Sequence, residues 1–135
     1  MDQKTGKEFF LLQKKAIRII TNDISCKKLF KNLKILTFPC AYILKVLLFV
    51  KNNEDIFQKN SDSHECNTRY KQNFSIPKHN TVAYGKGLHN QGIIMYNKLP
   101  NEVKNMPLKS FKKCITNLLV NKCFSSVQEY MSYTF

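Results

Sequence analysis

The sequence predicts a mainly α-helical fold, a small helical bundle into which a short β-hairpin or an extended loop is inserted. Near both ends of the chain, apolar residues recur at the three- and four-residue spacing of one helix face. The stretch 40–51 is apolar almost all round, which indicates a helix that lies between other helices. With 135 residues, of which 43% are apolar, the chain is expected to form one domain.

Composition divides this domain into four parts. The middle of the chain is polar and rich in Asn and Ser, as loops are, and the last residues are weakly patterned. We therefore expect an N-terminal helical unit at 1–52, a polar loop and extended segment at 53–90, C-terminal helices at 91–124 and a frayed tail at 125–135.

The N-terminal unit is expected to contain three helices with short connections. The first covers about residues 4–21, and its predicted core face consists of Phe9, Leu12, Ala16, Ile19 and Ile20. Ser25 is the expected N-cap of a short second helix with apolar Leu29, Phe30 and Leu33. Pro39 suits the first turn of the third helix, where a backbone N–H is not needed.

Asn52–Ser63 reads as a mobile polar loop, and the residues after it show weak alternation typical of strands. The stretches 74–76 and 81–84 are predicted to form either one short hairpin or two edge strands, the first kept short by Pro77.

Two helices and a single turn are expected in the C-terminal part. A two-turn helix covers Gln91–Lys98, a further turn follows at Asn101–Asn105, and Ser110 is the expected N-cap of the last clear helix. The core stripe of that last helix consists of Phe111, Ile115, Leu118 and Leu119. We further expect Tyr96 and Phe111 to share one core with the helix at 40–51.

The charge of the chain points to anionic partners. Its 22 Lys and Arg residues outnumber 9 acidic residues and give a net charge of +13, which attracts nucleic acid or anionic lipid. The candidate phosphate contacts lie on the first and the last clear helix and are Lys7, Lys14, Arg18, Lys109, Lys112 and Lys113. A solvated helix face that serves only solubility is the alternative interpretation of the same pattern.

Cysteine usage and hydropathy bear on the compartment. Five cysteines without a CxxC pair favour reduced thiols in a cytoplasmic or nuclear protein over a secreted disulfide framework. No signal peptide is expected in the first twelve residues. The apolar stretch 38–50 would span about 18 Å as a helix against roughly 30 Å of bilayer core, so a buried helix and no membrane contact are predicted.

Neither a metal site nor a catalytic centre is expected. His64, Cys66 and His79 lack the two tight ligand pairs of structural zinc, so His64 and Arg69 are instead expected to hold a loop by hydrogen bonds to backbone carbonyls. Cys66 beside His64 lacks a third group to orient it as a nucleophile. The adjacent acidic pair Glu54-Asp55 lies in a polar loop with no apolar strand to present it to metal ions. No cofactor is implied.

Two further patterns carry weaker signals. Tyr84-Gly85-Lys86-Gly87 lacks the GxxxxGK[ST] form of a phosphate loop and is equally explained by a turn in which Gly adopts positive φ. Tyr84, Tyr96 and Phe74 are candidates for stacking on bases, although aromatic residues at such spacing are typical of a core, Tyr96 above all.

Four short signatures follow one another in fixed order. They are His64-Glu65-Cys66-Asn67-Thr68-Arg69, Tyr84-Gly85-Lys86-Gly87, the stretch from Gly92 to Lys104 that contains Tyr96-Asn97-Lys98-Leu99-Pro100, and Ser110-Phe111-Lys112-Lys113. Together they resemble the extreme C-terminal region of the jockey-like non-LTR retrotransposon reverse transcriptases of animals. The likeness extends over about residues 9–119, since 9–20 looks like the family's LQKRAIRII helix and 29–36 like its LFxxLxIL stretch. Tyr96 stands where the family has Trp.

The resemblance implies a fragment of an RNA-directed DNA polymerase that lies beyond the catalytic palm. It implies contact with template RNA or target DNA, mostly through phosphates, and a partner in the rest of the polymerase if that is encoded elsewhere. It supplies no catalytic residue, and the family's Tyr/Phe-Ala-Asp-Asp signature does not occur in this chain. A small helical protein-interaction or structural module without enzymatic activity is the alternative.

The isolated chain is predicted to have no DNA polymerase or nuclease activity, because no clustered carboxylates can hold the catalytic metal ions. The measurement is primer extension on an RNA template with magnesium, compared with a heat-killed sample. Extension above that control would contradict the prediction.

Overall fold

The mainly α-helical class is confirmed by the structure, a computed structural model that describes residues 3–22, 25–63, 69–78, 81 and 87–135. Among these residues it contains eight α-helices and one 3₁₀ turn. The helices are α1 (Gln3–Thr21), α2 (Cys26–Asn32), α3 (Phe38–Asn52), α4 (Asn60–Ser63), α5 (Leu88–Asn97), α6 (Asn101–Lys104), α7 (Leu108–Lys122) and α8 (Val127–Ser132), and the 3₁₀ turn is Glu54–Ile56.

The chain forms two compact units, and each is made from separate stretches of sequence. The first unit combines Met1–Leu44 with Lys112–Tyr133, and the second combines Lys45–Phe111 with Thr134–Phe135. The four linear parts expected from composition do not coincide with these units.

The first unit buries a different face of α1 from the one that periodicity predicts. Phe10 and Ile17 are buried and belong to a cluster with residues of α2 and with Cys123. Ile19 and Ile20, which were expected in the core, are 81% and 75% exposed. At 3.6 residues per turn, the apolar residues of α1 other than Leu11 span about half of the helix circumference, and only the edge of that arc with Phe10 and Ile17 is buried. The predicted core face is therefore wrong.

Gln13 fixes α1 to the start of α3 by using both ends of its side-chain amide. Its Nε2 donates to the carbonyl oxygen of Leu36 at 2.8 Å, and its Oε1 accepts from the backbone N–H of Phe38 at 2.7 Å. The first N–H groups of a helix have no partner within the helix, so Gln13 satisfies one of them. Pro39 occupies the second position of α3, as its missing N–H predicts.

The end of the chain is an ordered helix, so the expectation of a frayed tail from residue 125 is wrong. Ser126 caps α8 by accepting a hydrogen bond from the backbone N–H of Glu129 at 3.1 Å. Tyr130 is fully buried, and its ring meets that of Phe124 edge to face with centroids 5.6 Å apart. One buried aromatic residue therefore anchors a segment whose periodicity is too short to be recognised.

The second unit contains the aromatic core that the sequence predicts. Tyr96 and Phe111 are 3% and 0% exposed, with ring centroids 6.0 Å apart. Gly92 on α5 lies so close to α3 that a Cβ atom there would be 3.0 Å from Val50 Cγ2. A Cβ atom at this position would be in tighter than ordinary contact, so the Val50 side chain would have to move by a few tenths of an ångström to admit it.

The segment after α3 is more regular than the polar loop that was expected. It contains the 3₁₀ turn and α4, and between them Phe57 is buried against the ring of Phe74 with centroids 5.4 Å apart. Phe74 pairs with Lys59 in an isolated antiparallel bridge. The second arm of the predicted hairpin, at 82–84, lies outside the described residues.

Two smaller boundary predictions have different outcomes. The helix predicted at Gln91–Lys98 is present as α5, and the turn after it is present as α6. The N-cap predicted at Ser110 is wrong, since α7 begins at Leu108 and Ser110 lies inside its first turn.

Within the described part of the chain, no helix has both the length and the apolar character needed to cross a bilayer.

Replacing Tyr96 by Ala is expected to lower the free energy of unfolding by about 3–5 kcal/mol, because a buried aromatic ring leaves a cavity. The measurement is chemical or thermal unfolding of the purified chain. Tyr70→Ala is the matched control, since Tyr70 is 66% exposed and its loss should change stability by less than about 0.5 kcal/mol. Equal effects of the two substitutions would contradict the burial of Tyr96.

Candidate nucleic-acid interface

Three of the six candidate cations share one face of α1. Lys7, Lys14 and Arg18 are separated by seven and four positions, which are two turns and one turn of an α-helix. Lys7 and Arg18 are exposed, whereas Lys14 is half-buried with its ammonium 4.2 Å from the centroid of the Phe10 ring. This cation–π contact fixes the position of the Lys14 charge at the edge of the core.

The other three candidate cations lie in the first turns of α7. Lys109, Lys112 and Lys113 are all exposed, and Phe111 between them is buried. The first turn of α7 contains no acidic residue. A cation in the first turn of a helix, as Lys109 is, opposes the helix dipole at a cost of about 0.3–1 kcal/mol.

None of the six cations has a carboxylate partner among the described residues. The salt bridges of this part of the chain join Lys27 to Glu129 at 3.3 Å and Lys51 to Glu54 at 3.0 Å. Uncompensated surface cations are the groups that nucleic-acid phosphates neutralise. The structure thus brings the candidates together as two groups of three, one on each helix.

Among the described residues, those on which the retrotransposon resemblance rests have roles in the folded structure. Asn97 uses its side-chain amide to bind the backbone of Phe74, accepting from its N–H and donating to its C=O, both at 2.9 Å. Leu99 is 3% exposed, and Pro100 occupies the N-cap position of α6. Phe74 and Tyr96 are core residues, so neither is available to stack on bases.

Several other residues for which the sequence predicts a role belong neither to the six cations nor to the second unit's core. The described residues do not include His64, Cys66, Thr68, His79 or the stretch 84–86. The structure therefore does not test the roles predicted for them. Arg69 is exposed and makes no hydrogen bond to another described residue, and its predicted role in holding the loop stays a prediction because residues 64–68 of that loop lie outside the described residues. Of the two glycines in Tyr84-Gly85-Lys86-Gly87, Gly87 has a φ of −60° at the N-cap of α5, and Gly85 lies outside the described residues.

The structure also contains a polar cavity of about 220 Å³ in the second unit, which the sequence did not indicate. Three lysines and one carboxylate line it together with aromatic and amide side chains. The lining residues are Lys51, Glu54, Lys59, Gln72, Phe74, Tyr96, Asn101, Lys104 and Asn105.

Lys104 is the unusual member of this lining because its side chain is buried. It is 8% exposed, and its ammonium donates to Asn73 Oδ1 at 2.9 Å and to the carbonyl oxygen of Asn97 at 3.1 Å. Both acceptors are neutral. Burial lowers the pKa of Lys104, since a charged ammonium loses hydration there.

The carboxylate of the cavity is already engaged. Glu54 Oε1 accepts hydrogen bonds from the Lys51 ammonium at 3.0 Å and from the Tyr96 hydroxyl. Lys51 also donates to the carbonyl oxygen of Lys104 at 2.5 Å. Burial and the nearby Glu54 carboxylate raise the pKa of Tyr96 well above its ordinary range, so its hydroxyl stays protonated as a donor.

No signal in the sequence identifies this cavity. Lys59 and Lys104 lie 45 positions apart along the chain, in the segment classed as polar loop and in the four-residue helix α6. Lys104 is one of many lysines, and only the packing of α6 distinguishes it from those on the surface. Comparisons with protein-family models, curated proteins and solved structures found no match to this chain.

Replacing Asn97 by Ala is expected to lower the free energy of unfolding by about 1–3 kcal/mol, because both backbone groups of Phe74 lose their partner. Asn117→Ala is the control, since Asn117 is exposed on α7 and should tolerate the change within about 0.5 kcal/mol. The measurement is urea unfolding of both variants. A destabilisation no larger than that of Asn117→Ala would contradict the role assigned to Asn97.

Proposed function

We propose that this chain binds RNA or DNA through phosphates with little sequence preference, as the C-terminal tail of a non-LTR retrotransposon reverse transcriptase that lacks the catalytic palm. The proposal rests on one observation above all. Two groups of three cations, on α1 and α7, have no carboxylate partner among the described residues.

The strength of such binding follows from the charge. A net charge of +13 creates an attractive field for a polyanion, and each phosphate that a Lys or Arg neutralises releases a counterion. Lysine is a point charge that does not read base edges in a fixed geometry, so these contacts position the nucleic acid without reading its sequence.

The position of the cations on α7 adds a second reason. Lys109 lies in the first turn of α7, where backbone N–H groups carry partial positive charge, and Lys112 and Lys113 lie in the turn after it. A bound phosphate would relieve this unfavourable arrangement, because it compensates both the side chains and the exposed N–H groups.

A second candidate function is a helical protein-interaction module, and α1 supplies the observation that favours it. Its uncovered apolar side chains are large and strongly exposed. They are Phe9 at 52%, Leu11 at 55%, Leu12 at 60%, Ile20 at 75% and Ile19 at 81%. Exposed apolar patches of this kind mark surfaces where other proteins bind.

Salt dependence distinguishes the two functions. Phosphate binding weakens steeply with salt, whereas burial of an apolar helix face in a protein interface is insensitive to salt or strengthened by it. The cations of α1 lie on a different face from its exposed isoleucines, so each function is testable by substitutions that leave the other face unchanged.

The affinity of the chain for duplex DNA is expected to fall with salt at a log–log slope of about −0.9 per phosphate contact. Four to six contacts correspond to a loss of about 10²–10³ in affinity between roughly 50 and 200 mM salt. The measurement is filter binding or fluorescence anisotropy, with scrambled sequences expected to bind equally.

Matched variants test which cations make these contacts. Lys7→Gln, Lys14→Gln and Arg18→Gln together should make the slope shallower by about 2–3, and so should the corresponding triple change on α7. The control combines Lys28→Gln, Lys31→Gln and Lys45→Gln, which removes the same charge from exposed lysines on α2 and α3 and should leave the slope unchanged. If neither RNA nor DNA is retained at low salt, the proposal fails and the protein-interaction function is favoured.

A further inference from the structure

The polar cavity of the second unit contains more positive charge than its own residues compensate. Among the described residues, its lining includes three lysines, Lys51, Lys59 and Lys104, and a single carboxylate residue, Glu54. That carboxylate is held by Lys51 and by the Tyr96 hydroxyl. The excess of positive charge is therefore carried by Lys59 and Lys104.

Of the two lysines that carry this excess charge, Lys104 is the buried one. Its ammonium has three hydrogens, and two of them are directed at the neutral oxygens of Asn73 and Asn97. No salt bridge of the described residues includes it. A charge removed from water is costly unless an opposite charge compensates it, so this position favours an anion in the cavity.

The exposed side of the cavity supplies additional donors. Lys59, Gln72, Asn101 and Asn105 are exposed, and the structure gives their side chains no hydrogen bond to another described residue. An ammonium and three amides therefore belong to side chains that line the same cavity as Lys104 and can donate hydrogen bonds.

The charge and the size of the cavity select the class of anion. A phosphate monoester carries a charge of about −1.5 to −2 at neutral pH, which matches the two uncompensated ammonium groups, whereas a phosphodiester carries a single charge. A volume of about 220 Å³ corresponds to roughly seven water molecules, enough for a phosphate group and its ester substituent. Lysine is a common ligand of phosphate as a point charge.

We propose that this cavity binds a phosphate dianion, with Lys104 at its buried end and Lys59, Asn101 and Asn105 at its exposed side. Its source is either free orthophosphate or the terminal phosphate of a nucleic acid. Only the second source rests on the proposed nucleic-acid binding, since free phosphate needs neither α1 nor the first turns of α7.

Titration with orthophosphate tests the site itself. Calorimetry and thermal unfolding are measured in sodium phosphate and in sodium chloride of equal ionic strength. Heat of binding and a higher melting temperature in phosphate alone are expected for the unchanged chain. No difference between the two salts would overturn the proposal.

Three variants assign the binding to the cavity. Lys59→Gln alters an exposed side chain and so preserves folding, and it should weaken phosphate binding about tenfold or more through loss of a charge-assisted contact. Lys104→Met should abolish the effect of phosphate on the melting temperature. Lys45→Gln, which removes an equal charge from an exposed lysine outside the cavity, should bind as the unchanged chain does. Equal binding by Lys59→Gln and Lys45→Gln would overturn the proposal even if Lys104→Met did not fold.

Two oligonucleotides of the same sequence, one with a 5′-phosphate and one with a 5′-hydroxyl, identify the source. A preference for the phosphorylated end that Lys59→Gln removes supports a terminal nucleic-acid phosphate, and binding of orthophosphate without this preference supports free phosphate. The triple variant of α1 should weaken both oligonucleotides equally and leave the preference unchanged. Failure of the proposed nucleic-acid binding is thereby distinguished from failure of the phosphate site.

Discussion

The need to satisfy a buried ammonium organises the polar side of the second unit. Lys104 is placed inside by α6, and the nearest acceptors it finds are an amide oxygen of Asn73 and the last carbonyl of α5. The same turn directs the Lys104 carbonyl to Lys51, whose ammonium also holds Glu54. Because each of these groups satisfies the next, losing one would leave another buried and unsatisfied. Because the hydrogen bonds of this network depend on one another, they hold the polar side of the second unit, which contains many loops, in one arrangement.

Asn97 connects that network to the aromatic core. Its side chain binds the backbone of Phe74, and its own carbonyl accepts from Lys104. Tyr96, the residue before it, is turned into the core between Phe74 and Phe111. The Tyr96-Asn97-x-Leu99-Pro100 signature is therefore accounted for by folding, since two of its residues are buried, one satisfies backbone groups and Pro100 starts α6. The resemblance that this signature carries does not by itself identify a binding surface.

Helical periodicity located α7, whose apolar residues repeat over several turns, and a nearly continuous apolar stretch located α3. Periodicity failed in α1, where apolar side chains cover too wide an arc to show which edge is buried. It also failed at α8, whose six residues are too few for a period to emerge. The surface cations were predictable because they share a helix face. The burial of Lys104 was not predictable, because it arises from tertiary contacts that no local sequence pattern indicates.

The two kinds of cationic site differ in how water screens them, and this difference distinguishes the ligands proposed for them. The cations at Lys7, Arg18 and the start of α7 are exposed, so beyond about 8 Å their fields are screened at physiological salt. Lys104 lies in a cavity walled by Phe74 and Tyr96, where screening is weaker and each contact is stronger. A long polyanion suits the exposed cations, because it gains by touching many of them at once. A single compact dianion suits the cavity, because the charge there is concentrated and cannot be shared along a chain. The two proposals therefore assign different ligands to the two kinds of cationic site, a nucleic acid to the exposed cations and a phosphate group to the cavity, and neither proposal requires the other.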